Sequence, residues 1–128
     1  MRILLDTCTF LWLTVDAPEL SRRSRELFAD PANEVFLSAV SGWEIAVKHS
    51  AGRLPLPEAP AQFLPSRRDR YGVQSLDLAE EATLYEPRLT KLHADPFDRM
   101  LICQSIVHGL AILTPDPWIA QYPVHTLW

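Results

Sequence analysis

Four acidic residues are spaced through this chain so that one fold class would gather them in one place. Asp6 directly follows the apolar run Ile3-Leu4-Leu5, and Asp116 closely follows Ala111-Ile112-Leu113-Thr114. Glu44 and Asp98 each fall three residues into a segment that looks like a helix start, Ser41-Gly42-Trp43-Glu44 and Asp95-Pro96-Phe97-Asp98. In a parallel α/β sheet the strands deliver residues to their carboxyl ends, and the crossover helices begin at that same edge. All four carboxylates are therefore expected there. They would repel one another unless a cation lay among them, and carboxylate oxygens are hard ligands suited to Mg²⁺ or Mn²⁺. Phosphodiester hydrolysis is the leading use for such a site.

Each acid also has a scaffold explanation. Ser41 to Glu44 has the form of a capping box, with Glu44 at N3, and Glu44 precedes Lys48 by four residues in the favourable order for a surface pair. Asp95 suits an N-cap, Pro96 the first helical position and Asp98 N3, which assigns Asp95 to structure more readily than Asp98. Asp116, between two prolines, suits a turn. Asp6 could cap the short helix that follows it, but a charge at the end of a buried strand is costly unless paired or bound to metal. No lysine or arginine stands where it would obviously neutralise the group, so the constellation outweighs its members.

The elements that must position these acids alternate between strand and helix, the pattern of a three-layer α/β domain with a central, mainly parallel sheet. Strands are expected at Arg2–Leu5, Val35–Ser38, Val73–Leu76, Leu110–Thr114 and Val124–Trp128. Helices are expected through Phe10–Leu13, from an N-cap at Ser21 to near Asp30, from Ser41 to Ala51, over Ala61–Arg70, over Ala79–Leu89 with weakening at Pro87, and over Phe97–His108. The last is apolar on most sides, as befits a helix deep against a sheet. Arg53 to Pro60 reads as a rigid, proline-rich surface connection too short to separate two domains.

At 128 residues the chain is read as a single domain, residues 1–128; a composition 48% hydrophobic and 22% charged excludes wholesale disorder. No apolar stretch approaches the roughly 20 residues of a membrane span, and no secretory signal is evident, so a cytoplasmic protein is expected. Cys8 and Cys103 are too few for a disulfide framework, and no Cys/His spacing suggests zinc. A net charge of −4 argues against coating nucleic acid by bulk electrostatics but allows a nuclease whose acids lie under metal. Two arginine groups, Arg22, Arg23, Arg25 and Arg67, Arg68, Arg70, read as solvated helix faces or phosphate-steering patches. Motifs of the nucleotide-binding, hydrolase-elbow and zinc-protease kinds are absent, and the four histidines are scattered. His93, near Asp95 and Asp98, reads as a surface or capping residue.

Taken together, Leu4-Leu5-Asp6-Thr7, Trp43-Glu44-Ile45-Ala46-Val47-Lys48, Asp95-Pro96-Phe97-Asp98-Arg99-Met100-Leu101-Ile102 and Thr114-Pro115-Asp116 fall in order over the whole chain. This set resembles the PIN-domain proteins of the VapC type, the toxin half of type II toxin–antitoxin pairs. The resemblance implies a PIN-like fold and an Mg²⁺- or Mn²⁺-dependent endoribonuclease that leaves 5′-phosphate and 3′-hydroxyl ends. Asp6, Glu44, Asp98 and Asp116 match the family's acidic cluster, with Asp6 and Asp98 as principal metal ligands. It further suggests Asp95 in a secondary place, Thr7 and Thr114 as holders of a water or a phosphate, and Arg99 as a residue that orients Asp98 or touches substrate. Cys8 departs from the histidine common at its position. The implied partners are an RNA substrate, a cognate VapB-type antitoxin whose arm packs beside the acids, and a second copy in a homodimer. Trp12, Phe36 and Trp43 could line such a groove, although core packing is the expectation for each. The alternative reading is a catalytically silent PIN-fold module that binds RNA or protein.

Overall fold

Three consecutive residues with no exposed surface, Ile3, Leu4 and Leu5, form the centre of the protein. A strand that buries both of its faces belongs in the middle of a parallel sheet, where each such side chain contributes about 1.5–3 kcal/mol by leaving water. The computed structural model describes residues 1–128 and places this strand, β1 (Arg2–Leu5), as the third of five. The others are β2 (Glu34–Ser38), β3 (Gln74–Leu76), β4 (Ala111–Leu113) and β5 (Thr126–Leu127), in the order β3-β2-β1-β4-β5. Every pairing is parallel, and the register sets Ile3 against both Val35 and Ala111.

Helices cover both faces. The helices α1 (Thr7–Thr14), α2 (Arg22–Ala29), α3 (Ala39–Ser50) and α4 (Pro60–Tyr71) follow β1 and β2. Phe10, Leu13, Ile45 and Phe63 from this set join Ile3, Leu5, Val35, Leu37 and Leu113 in one core. The second face is covered by α5 (Glu80–Tyr85) and α6 (Pro96–His108). There Leu101 packs with Leu4 and Phe36, and Ile102 and Cys103 pack with Ile112 and Ala82. The proline-weakened stretch is a short 3₁₀ turn, Glu86–Arg88, because Pro87 has no N–H to continue α5.

Strand order reverses between β1 and β4. The chain winds from β1 out to β3, then returns to the other side of β1 to add β4 and β5. The carboxyl ends of these two neighbours are the topological switch point, where parallel sheets leave a crevice for ligands. Asp6 N–H donates to Leu113 O, and Thr9 Oγ1 donates to the same carbonyl at 2.9 Å, so the ends of β1 and β4 are tied together there.

One expected boundary differs. α3 begins at Ala39, and its N-cap is Ser38, whose hydroxyl accepts from Val40 N–H at 3.0 Å. Glu44 therefore lies in the second turn and makes no capping box, while Ser41 is a buried side chain inside the helix. The cause is that β2 runs into α3 without a loop, so the serine at the strand's last position does the capping. Ser38 also donates to Gln104 Oε1 at 2.6 Å, joining β2 and α3 to α6. Ser38→Ala removes the cap and strands a buried amide oxygen, so it should cost about 1–3 kcal/mol. Urea unfolding should show this as a lower midpoint with an unchanged slope.

Candidate active site

Asp6 is the residue that leaves β1 and opens α1. It is 5% exposed, and its side chain makes no cap bond to the helix it precedes. Its Oδ2 instead accepts the Thr114 hydroxyl at 2.7 Å, and Thr114 Oγ1 in turn accepts Asp116 N–H at 3.0 Å. Thr114 is therefore the clasp between the acids that follow β1 and β4. Burial pushes the Asp6 carboxyl above its ordinary range, the Thr114 bond opposes this, and the charges of Asp116 and Glu44 raise it further. Asp116 is half-buried, and its Oδ1 accepts Trp118 N–H at 2.8 Å in a turn between the two prolines.

Glu44, also 5% exposed, reaches the same edge from α3. Its Oε2 takes the Lys48 ammonium at 2.5 Å, the four-residue pair that the sequence offered, so one cation does meet the acidic group. That bond raises the Lys48 pKa. Glu44 Oε1 is buried with no hydrogen-bond partner. An ionised oxygen left so costs several kcal/mol unless a cation compensates it.

Asp98 comes from the first turn of α6, whose start is fixed by Asp95. The Asp95 Oδ1 accepts Phe97 N–H at 2.9 Å and Asp98 N–H at 3.2 Å, and Pro96 fills the first helical position. Asp98 Oδ2 lies 3.3 Å from His93 Nε2. Desolvation, then the charges of Asp95, Asp6, Asp116 and Glu44, push the Asp98 carboxyl up to about 8. Asp98 thus feels the charge of all three other cluster acids across the edge.

The donor chemistry fits a hard divalent cation, being carboxylate throughout and including the orphaned Glu44 Oε1. The acids act on one another through their charges but form no closed cluster. No three His, Cys, Asp or Glu side chains stand near enough to one point to ligate an ion as they are placed. None of the five surface hollows is lined by Asp6, Glu44, Asp98 or Asp116; Asp6 and Glu44 are buried, and Asp98 and Asp116 are half-buried.

The remaining candidates fall elsewhere. Thr7 Oγ1 donates to Ser41 Oγ at 2.8 Å, both buried, so it joins α1 to α3. Arg99 is 4% exposed and turned away from Asp98, its Nε donating to Glu86 Oε1 at 2.9 Å and its Nη1 to Thr90 O at 3.0 Å. An arginine next to Asp98 in a helix projects about 100° away from it, which sequence adjacency conceals. Trp43 is 62% exposed, its ring edge against Phe97, although core packing was expected. Phe36 is buried, and Trp12 lines an apolar hollow of about 330 Å³ with Leu11, Leu54 and Phe63. In the arginine groups, Arg25 pairs with Asp16, while Arg67 pairs with Glu58 and lies over the Phe63 ring. Desolvation of the thiol and the charges of Asp6 and Glu44 push Cys8 up to about 11, which leaves it a poor nucleophile.

Sequence reasoning missed the clasp role of Thr114, and it noted His93 near Asp98 but read it as a surface or capping residue. A threonine two residues before a turn aspartate signals the first, since such hydroxyls bond locally. Nearness in sequence signals the contact of His93 with Asp98, but not its hold on Tyr122, far along the chain.

The chain is similar to known proteins in sequence and in fold. The profile of the PIN domain matches residues 3–124. Over 69 residues the chain is 35% identical to the ribonuclease VapC16 of Mycobacterium tuberculosis, a match spanning 54% of this chain and about half (49%) of that relative. The fold is similar to that of VapBC2 from Rickettsia felis bound to a DNA fragment from its promoter, at 16% identity and a TM-score of 0.74, covering 99% of this chain and 98% of that one. It is also similar to VapBC-1 from nontypeable Haemophilus influenzae, at 16% identity and a TM-score of 0.67, covering 99% and 97%. No helix is long and apolar enough to cross a membrane.

The raised Asp98 carboxyl has a consequence for stability. Its pKa is about 8 in the folded chain against 3.8 for an unperturbed aspartate, so folding favours the protonated form. The folded state then holds more protons than the unfolded state between those values, and stability falls as pH rises through them. In EDTA, Asp98→Asn should be more stable than the unmodified chain at pH 8, and the gap should shrink towards pH 4. Denaturation midpoints across that range measure it, and a gap independent of pH would contradict the assigned shift.

Proposed function

The chain belongs to the PIN domain family, and on that premise we propose that it is a divalent-metal-dependent endoribonuclease, the toxin of a type II toxin–antitoxin pair. The observation that carries the reading is the buried, unpartnered Glu44 Oε1 among the carboxylates of Asp6, Asp98 and Asp116 at the sheet's switch point. The similarity to a ribonuclease of the VapC kind supports the reaction. The likeness in fold to VapBC complexes supports a VapB-type antitoxin as partner.

In this reading Asp6 and Asp98 are the principal ligands of one Mg²⁺ or Mn²⁺, with Glu44 and Asp116 completing the site directly or through water. When bound, the ion supplies Lewis acidity to the scissile phosphate and to the attacking water. The chain's own residues supply position. Thr114 holds Asp6 and the Asp116 backbone in one frame, Asp95 fixes the helix turn that carries Asp98, and Lys48 offsets the charge on one oxygen of Glu44. The RNA backbone lies across the acids. Water attacks phosphorus in line, a P–O bond forms and the bond to the 3′-oxygen breaks. The products carry 5′-phosphate and 3′-hydroxyl ends, because the 2′-hydroxyl takes no part. The chain would act in the cytoplasm, as a homodimer, and be silenced when an arm of the antitoxin covers the acids. An arginine on that arm would complement them.

Purified chain, free of any partner, should cleave structured RNAs in Mg²⁺ or Mn²⁺ and be inactive in EDTA. Asp6→Asn and Asp98→Asn should keep the fold and lose more than about 100-fold in rate, since loss of an outer partner of a ligand alone costs about 10–100-fold. Full activity in either variant would sink the assignment. If metal raises thermal stability but no RNA is cut, a narrower substrate is required. If metal has no effect and no RNA is cut, the silent binding module is the better reading.

A further inference from the structure

The ring of His93 lies between the acids and a buried polar cluster, and its partners determine which nitrogen carries the proton. Nδ1 is 2.8 Å from the hydroxyl of Tyr122, and Nε2 is 3.3 Å from Asp98 Oδ2. Tyr122 is 3% exposed, and its hydroxyl oxygen already receives the N–H groups of Leu92 and His93, each at 3.3 Å, and Arg99 Nη1 at 3.1 Å. A phenol oxygen has two lone pairs and one O–H. With three donors converging on the oxygen, the O–H must point at an acceptor, and His93 Nδ1 is the one within reach. A proton on Nδ1 would add a fourth donor aimed at the same atom. With His93 neutral and Asp98 ionised, as a bound cation would make it, the ring N–H is therefore on Nε2 and donates to Oδ2.

The surroundings leave this arrangement little freedom. Arg99 is anchored by Glu86 Oε1 and by the carbonyl of Thr90, so its donation to Tyr122 persists. The Trp118 ring lies parallel to His93 within 2°, with centroids 6.1 Å apart, and limits rotation of the imidazole. The His93 side chain itself is 11% exposed.

We infer that His93 is a positioning residue for Asp98: the Tyr122–His93 pair holds Asp98 Oδ2 through an Nε2–H donor and leaves Oδ1 for the divalent ion. This rests on the proposed role of Asp98 as a metal ligand. Orientation of a ligand by a hydrogen-bonded partner sets how much of its conformational freedom must be given up on binding, and loss of such a partner costs about 10–100-fold in metal affinity or activity. Arg99 and Glu86 act one step further back, by keeping the phenol hydroxyl directed at Nδ1.

The test is Mn²⁺ titration of the full chain without RNA, alongside thermal unfolding of the same proteins in EDTA. His93→Ala and Tyr122→Phe should each weaken Mn²⁺ binding about 10–100-fold. His93→Gln, which presents an amide N–H near the place of Nε2, should recover most of the loss. Nitrogen-15 spectra of the unmodified chain should show the ring proton on Nε2. The inference is overturned if the proton is found on Nδ1, or if the His93 variants bind Mn²⁺ like the unmodified chain while merely unfolding at lower temperature. Those outcomes leave the proposed function standing, provided the unmodified chain still binds Mn²⁺ and cuts RNA. Absence of Mn²⁺ binding by the unmodified chain would instead overturn both.

Discussion

Mutual repulsion among Asp6, Glu44, Asp98 and Asp116, strengthened by their removal from water, is the interaction around which the rest of the structure is arranged. Burial heads the causes that raise both Asp6 and Asp98, and the neighbouring acids add to it. A fold that gained stability alone would not place carboxylates so, because desolvated like charges are among the more costly features a small domain can hold. Such costs concentrate where chemistry is done. The scaffold meets this one mostly with neutral donors. Threonine serves Asp6, backbone amides serve Asp95 and Asp116, and imidazole serves Asp98, while Lys48 is the cation in contact. Neutral donors hold a carboxylate in place without cancelling the charge that would attract a metal ion.

That arrangement needs a rigid frame. Repelling groups drift apart unless each is mounted on an element that cannot move. β1 is buried on both faces and paired on both sides, so Asp6 at its end has almost no latitude. α3 and α6 bring Glu44 and Asp98 to the same edge, and the bonds Thr7–Ser41 and Ser38–Gln104 tie them to α1 and β2. The polar contacts inside this otherwise apolar core are thus concentrated at the end of the sheet where the acids stand. The outer reach of the edge carries exposed aromatic surface at Trp43 and Trp118.

Elements were legible where local chemistry and tertiary demand coincide. Asp95-Pro96 starts α6 as expected, and Gly109, at φ 66°, ends it, because cap, fixed φ and left-handed stop are properties of those residues themselves. The start of α3 was misplaced because Ser38 and Ser41 are equally good caps in isolation, and only the direct passage from β2 into the helix chooses between them. Thr7, Thr114 and Arg99 stood beside acids in the sequence, the threonines expected to hold a water or phosphate and Arg99 to orient Asp98 or touch substrate. The structure uses their hydrogen-bonding groups to join elements, and a side chain's direction depends on helix phase and neighbours that sequence adjacency does not reveal.

By itself the sequence determined the alternation of strands and helices, the crossover pattern that sends acids to one edge, and the family to which the chain belongs. These follow from periodicity, caps and motifs that act over a few residues at a time. Tertiary structure alone decided that strand order reverses between β1 and β4, that Glu44 keeps one buried oxygen without a partner, and that Tyr122 reaches back to the His93 ring. Each of these is a relation between groups distant in the chain. Its energy comes from desolvation and hydrogen-bond geometry, and neither exists until the core has closed around them.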